Sequence, residues 1–205
     1  MKSIIPSIIA RNQKEFNEHL RKVKFAKLIQ LDVMDGKFVN NSSLDKNLEL
    51  PRKNYEAHLM VRKPEEWIAT NLCFVKSVIF HIESTQQASQ IIKFVKASGR
   101  KVGIALNPET PVSKIKKYIK QIDKVLILTV HPGSYGAKFL PKTLNKIREI
   151  KKLNHKIIVE VDGGINDKTI VSAAQAGADE FVVGSFLQKS NNPKKSYRGL
   201  TNKIK

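Results

Sequence analysis

Eight short apolar runs recur along this chain, and their spacing restricts the fold more than any other feature. They are Ile4–Ile9, Leu28–Val33, Tyr55–Met60, Ser77–Ile82, Lys101–Leu106, Lys124–Val130, Ile157–Val161 and Glu180–Val183. Most begin roughly 22 to 27 residues after the one before, and the gap before the seventh is longer. Runs this short and this apolar read as strands buried on both faces. Helical patterns lie between most of them. Gln13–Lys24 puts Phe16, Leu20 and Val23 on one face, and Pro64–Phe74 opens with Pro-Glu-Glu, a favoured helix start. Gln86–Ala97 turns Ile91, Ile92 and Val95 inward and stops at Gly99. Pro111–Lys120, Pro141–Leu153 and Lys168–Ala176 continue the series, the last halted by Gly177.

Alternating strands and helices call for a parallel sheet with crossover helices, and eight such units close a (β/α)8 TIM barrel. An open doubly wound sheet is the competing arrangement, but no Gly-x-Gly-x-x-Gly follows the first strand. The expected fold is therefore α/β, with residues 1–205 forming a single (β/α)8 barrel domain. Lys37–Asn54 has little helical signal and is expected to be a loop with a short or absent helix. The polar, basic stretch Asn191–Lys205 reads as a last helix or a frayed tail.

Composition narrows the setting. A single cysteine, Cys73, excludes a disulfide framework; it lies in an apolar run and reads as a packed small hydrophobe. No apolar run approaches the ~20 residues of a membrane-spanning helix, and Met1-Lys-Ser-Ile-Ile-Pro6 lacks the pattern of a signal peptide. A cytoplasmic protein without a membrane partner is expected. The balance of 37 Lys+Arg against 18 Asp+Glu gives a charge of +19, which attracts anions. The lysines alternate with apolar residues at helical spacing, as in Lys114–Lys120 and Lys146–Lys152, and no aromatic stacking platform accompanies them. That is the pattern of solvated outer faces rather than of a nucleic-acid site.

In such a barrel the chemistry sits at the carboxyl ends of the strands. Those ends carry Ser7; Gln30, Asp32 and Met34 on one face, then Asp35-Gly36; His58 and Met60; His81 and Glu83; Asn107-Pro108; His131–Gly136; Asp162-Gly163-Gly164; and Gly184-Ser185. Asp162 is an acid at a strand end, and the glycines after it precede a helical pattern, where backbone N–H groups can approach a phosphate. An enzyme acting on a small phosphorylated molecule is one reading of that stretch, and a turn capping a helix at Asn166 or Asp167 is the other. Asp35-Gly36 reads as a turn, His81 with Glu83 as a satisfied polar pair, and Met34 and Met60 as either core or site wall.

Seven motifs in order resemble those of the ribulose-phosphate 3-epimerase family. They are Leu31-Asp-Val-Met-Asp-Gly36, Ala57-His-Leu-Met60, Phe80-His-Ile-Glu83, Leu106-Asn-Pro-x-Thr110, His131-Pro-Gly133, Glu160-Val-Asp-Gly-Gly-Ile165 and Val183-Gly-Ser185. The resemblance runs from Pro6-Ser7 to Ser185. It implies a ribulose-phosphate-binding type of barrel and an isomerase of carbohydrate metabolism, in the pentose phosphate pathway. Such an enzyme interconverts ribulose 5-phosphate and xylulose 5-phosphate by metal-assisted epimerisation at carbon 3. Asp32 and Asp162 would be the catalytic acid/base pair, and Asp32, His58 and Asp162 would hold one divalent ion: zinc, iron(II), manganese or cobalt. Ser7, Met34 and Met60 would surround the substrate, a small phosphorylated ketose. Gly164, Gly184 and Ser185 would cradle its phosphate beside Gly163, with Gly133 and Gly136 on the sixth loop. The resemblance leaves a homo-oligomeric state open.

This chain departs from the family at several points. Gln30 stands where the family has a metal-ligand histidine, and a neutral amide is the poorer ligand for zinc or iron. The sixth loop reads Pro132-Gly-Ser-Tyr-Gly-Ala137 in place of Pro-Gly-Phe-Gly-Gly-Gln, Leu128 replaces a methionine, and Asn40 stands where a proline is usual. A related phosphosugar epimerase with another substrate, or a phosphate-binding barrel without turnover, are the alternatives. A decarboxylase relative would need a lysine in an Asp-x-Lys-x-x-Asp array, which Asp32-Val-Met-Asp35 lacks.

Overall fold

A computed structural model of the chain describes residues 2–43, 49–132 and 136–205. Eight parallel strands close into a barrel in sequence order: β1 (Ser3–Ile8), β2 (Leu28–Met34), β3 (Asn54–Met60), β4 (Ser77–His81), β5 (Lys101–Leu106), β6 (Lys124–Leu128), β7 (Ile158–Asp162) and β8 (Glu180–Val183). β1 pairs with both β2 and β8, the latter in the register Ser3↔Glu180 to Pro6↔Val183, so no sheet edge is left open. The expected (β/α)8 barrel is what forms.

The outer ring comprises α1 (Gln13–Val23), α2 (Pro64–Asn71), α3 (Ala88–Ala97), α4 (Leu144–Leu153), α5 (Ile170–Ala176), the single turn α6 (Ser185–Gln188) and α7 (Pro193–Lys203). Their apolar stripes pack on the outside of the barrel, with Phe16, Ile92, Val95, Ile147 and Ile150 all buried. Local signals fix the ends. Asn12 accepts the Glu15 N–H at 3.0 Å, and Glu15 reaches back to the Arg11 N–H at 2.8 Å. Gly177, with φ of 106°, ends α5 in the left-handed conformation that glycine adopts without strain. No helix among the described residues is long and apolar enough to cross a membrane.

The structure differs from expectation at Val112–Tyr118 and Cys73, and at the tail and the β2–β3 connection it takes one of the forms expected. Residues Val112–Tyr118 form 3-10 turns rather than an α-helix, because Val112, Ile115 and Tyr118 recur strictly every third residue and all three are buried. Cys73 is exposed rather than packed: it lies in the 3-10 turn after α2, where Leu72 and Val75 take the inward positions. The tail does not fray. Asn192 caps α7 by accepting the Lys195 N–H, Leu200 is buried, and the Tyr197 ring meets Phe25 edge-on at 5.2 Å. Between β2 and β3 the described residues contain no helix, only a bridge between Asp35 and Ser42; residues 44–48 lie outside the described part.

Strand alternation sorts the barrel interior into layers. At the amino-terminal end, Lys124 Nζ is 2.7 Å from Glu56, 2.6 Å from Glu160 and 2.5 Å from Glu180, and Ser77 Oγ donates to Glu56 at 2.7 Å. Room for the lysine comes from Gly103, where a Cβ would lie 2.7 Å from Lys124 Cγ. Above this charged layer sits a small apolar one, Ile79, Ala105, Leu126 and Leu128. Asp32, His58 and Asp162 stand at the carboxyl-terminal mouth.

Candidate active site

β2 supplies the first half of the site. Gln30, Asp32 and Met34 alternate onto the inward face, and all three are buried. β3 runs beside it in the register Asp32↔His58 and Met34↔Met60. Asp162 closes β7 and is held in place from β6. The Thr129 N–H donates to the Asp162 carbonyl at 2.7 Å, and Thr129 Oγ1 donates to the carbonyls of Asp162, at 2.9 Å, and Gly163.

These strands bring four polar side chains into one small space. Gln30 Nε2 donates one hydrogen bond to Asp32 Oδ1 at 2.7 Å and another to Asp162 Oδ2 at 2.8 Å. His58 Nδ1 faces the same two oxygens, at 3.4 and 3.3 Å. The imidazole contacts are ion-pair contacts rather than aligned hydrogen bonds. Ligand atoms of Asp32, His58 and Asp162 all lie within 4.8 Å of one another, a cluster that could hold a metal ion.

Behind His58 runs a second line of polar groups. His58 Nε2 is 2.9 Å from His81 Nε2, the two rings stack at 5.1 Å, and His81 Nδ1 is 3.3 Å from Glu83 Oε2. The carboxylate draws the His81 proton to Nδ1, leaving Nε2 to accept from His58 Nε2–H. That arrangement turns His58 Nδ1 toward the two aspartates. The polar pair foreseen in His81 and Glu83 is thus real, and it orients a site residue. The role was hidden in the sequence because it depends on register between β3 and β4. Thr129 carried no sequence signal of its own.

Burial and charge set the protonation. Burial raises the Asp32 carboxyl above its usual range and the nearby Asp162 adds to this, while the His58 imidazole and the hydrogen bond from Gln30 oppose it. Burial alone would lower His58, but Asp162 and Asp32 outweigh it and push the imidazole up to about 9. Burial dominates at His81 and lowers it to about 4. At Glu83 burial is outweighed by hydrogen bonds from His81 and neighbouring groups, which hold the carboxyl at about 2. Asp35 forms the expected turn: its carboxylate accepts the N–H groups of Lys37, Phe38 and Arg62 at 2.9, 2.9 and 2.8 Å. Those bonds outweigh burial and lower its pKa.

The cleft above these groups encloses about 560 Å³, counting space open to solvent. Ser7, Met34 and Met60 form part of its wall; Gly136, Gly163, Gly164, Gly184 and Ser185 lie on its lining as well. Met34 and Met60 pack with Val39. Gly163 and Gly164 have φ of 108° and 66°, and a Cβ on Gly163 would meet Val130 Cγ2 at 2.3 Å. Only glycine lets the backbone pass this close to Val130 in that conformation. Among the site residues expected from sequence, Gln30 lies fully buried beside the carboxylates rather than on the cleft wall. Gly133 lies outside the described residues.

A family model described as the ribulose-phosphate 3-epimerase family matches residues 3–188. The chain belongs to the ribulose-phosphate 3-epimerase family. A ribulose-phosphate 3-epimerase of Mycobacterium tuberculosis is 34% identical over 93% of this chain and 87% of its own length. One from Schizosaccharomyces pombe is 33% identical over 98% and 93%, and one from Helicobacter pylori 31% over 97% and 96%. The protein is accordingly an isomerase, an epimerase acting on a carbohydrate phosphate. Solved structures share the fold at lower identity. KGPDC from Streptococcus mutans superposes with a TM-score of 0.72 at 13% identity, covering 100% of this chain and 97% of that one. 3-Hexulose-6-phosphate synthase from Salmonella typhimurium gives 0.71 at 16%, covering 100% and 98%.

Proposed function

We propose that this epimerase interconverts ribulose 5-phosphate and xylulose 5-phosphate, with Asp32 and Asp162 as its acid and base. The observation that carries the reading is the pair itself: two carboxylates on β2 and β7, at the cleft floor, bridged by one amide nitrogen. Epimerisation at carbon 3 needs a base on one face of the substrate and an acid on the other. One aspartate takes the carbon-3 proton, and the electrons left behind delocalise onto the neighbouring carbonyl as an enediolate. The other aspartate then delivers a proton to the opposite face, and the roles exchange in the reverse direction. Burial of Asp32 favours its protonated form, which suits a group that must carry a proton midway through the reaction.

The donor set of Asp32, His58 and Asp162 fits a divalent cation, since two carboxylates and an imidazole converge there. Held by these three residues, such a cation would supply neutralisation of the negative charge that develops on the substrate oxygens. Ser7, Met34 and Met60 shape the wall around the sugar. Gly163, Gly164, Gly184 and Ser185 receive the phosphate through half-buried backbone at the cleft lining.

The test is interconversion of the two pentulose phosphates by purified protein, stripped of metal and then supplied separately with manganese, iron(II), cobalt or zinc. Turnover restored by metal, and abolished in Asp162→Asn with the fold retained by circular dichroism, is the expected result. Full activity in Asp162→Asn would refute the acid/base assignment. A folded protein inert with every metal would refute the substrate.

A further inference from the structure

Gln30 departs from the family pattern, and its surroundings suggest a use for the departure. The side chain is fully buried, and its terminal nitrogen sits among the oxygens of Asp32 and Asp162 beside His58 Nδ1. Its other terminal atom, Oε1, is buried and has no hydrogen-bond partner among the described residues. An amide presents either end by a half-turn about its last bond. Without a cation between the carboxylates, the end facing them must be the nitrogen, because an oxygen there would oppose two like partial charges at hydrogen-bond distance. With a cation there, the preference inverts: N–H groups are repelled and a carbonyl oxygen is attracted.

Resting on the metal reading above, we propose that Gln30 is the fourth metal ligand through Oε1, and that this makes the site selective for hard divalent cations such as Mn2+ or Mg2+. The donor set becomes three oxygens, from Asp32, Asp162 and Gln30, and one nitrogen, from His58. Carboxylate and carbonyl donors suit manganese and magnesium, whereas a second imidazole suits zinc and iron. The same side chain holds the carboxylates together when no cation is bound, through its two N–H groups, so the pocket does not spring apart on metal loss. The unpartnered Oε1 is then an acceptor waiting for the turned state.

The experiment is competitive binding, by equilibrium dialysis against equal Mn2+ and Zn2+ with metal counted by atomic emission, on wild type and Gln30→His. The expected result is one cation per chain in both proteins, with the Zn2+/Mn2+ affinity ratio rising about tenfold or more in Gln30→His. An unchanged ratio with stoichiometric binding overturns the Gln30 assignment and leaves the metal site standing. No stoichiometric uptake by either protein overturns both. Should Gln30→His fail to fold, nuclear magnetic resonance of the wild type decides. The side-chain NH2 signals of Gln30, held by two carboxylates, must shift on Mg2+ addition as the amide turns, and signals unmoved at saturating Mg2+ overturn the proposal.

Discussion

The sharpest stability prediction concerns the charged layer beneath the site. Lys124 lies 2.5 to 2.7 Å from three carboxylates and is nearly inaccessible to water, as are Glu56 and Glu160. Burial alone would lower the ammonium, but Glu160, Glu56 and Glu180 hold it well above its ordinary value. Glu160 is itself pushed well above 4.5, first by burial and then by Glu56, while Glu180 is held below it by Lys124 despite burial. Lys124→Met fits the same stem but removes the charge. The cluster must then take up one further proton to stay buried. Forcing a proton onto a carboxyl of ordinary pKa near 4.5 costs about 4–5 kcal/mol at pH 8 and about 1 kcal/mol at pH 5.5. The upper figure agrees with the ~3–5 kcal/mol typical of breaking a buried ion pair. Urea unfolding of wild type and Lys124→Met at both pH values should therefore show a penalty of about 4 kcal/mol at pH 8 that mostly vanishes at pH 5.5. Wild-type Glu160 binds its proton more tightly folded than unfolded, so its own contribution also falls as pH rises through 4.5 toward its folded value. A loss that is equal at the two pH values, or below ~1 kcal/mol at pH 8, would refute the electrostatic account.

Other perturbations test the mouth. Gly163→Ala forces a Cβ against Val130 at a φ of 108°, and should cost about 2–4 kcal/mol in urea unfolding. The Val130→Ala partner change should recover only the steric part, leaving the backbone strain. His81→Leu removes the acceptor behind His58 Nε2 and should weaken metal affinity about 10–100-fold, read by isothermal titration; unchanged affinity would remove His81 from any orienting role. His58 keeps its proton up to about 9, so cation uptake at pH 7.5 must displace it. Calorimetry in buffers of different ionisation enthalpy should register about one proton released per cation bound, with affinity rising about tenfold per pH unit below pH 9.

The barrel was legible because each strand is short, apolar and bounded by helical periodicity. Tyr55–Met60 anticipates β3 to within one residue, and the two-residue spacing of Gln30, Asp32 and Met34 puts them on the inward face that the structure bears out. The contacts between those strands were not legible. That His58 meets His81, or that Lys124 meets Glu56, Glu160 and Glu180, depends on pairing between segments far apart in sequence. Lys124 was the more deceptive because most lysines here mark solvated faces, as Lys114, Lys116 and Lys117 do. The one local hint was Gly103, a gap in a strand with no turn to explain it. Cys73 and the 112–118 segment misled for a related reason: apolar composition sets which residues are buried only once helix geometry is known.

The charged layer around Lys124 joins β3, β6, β7 and β8, half of the staves of the barrel, from below. None of its four residues lines the cleft. Mouth and base are therefore separate modules of one cylinder: residues at the upper rim can be exchanged for a new reaction while the lower clasp keeps the staves closed. A graft of foreign loops onto this barrel should begin by keeping those four residues and Gly103 together as an indivisible set.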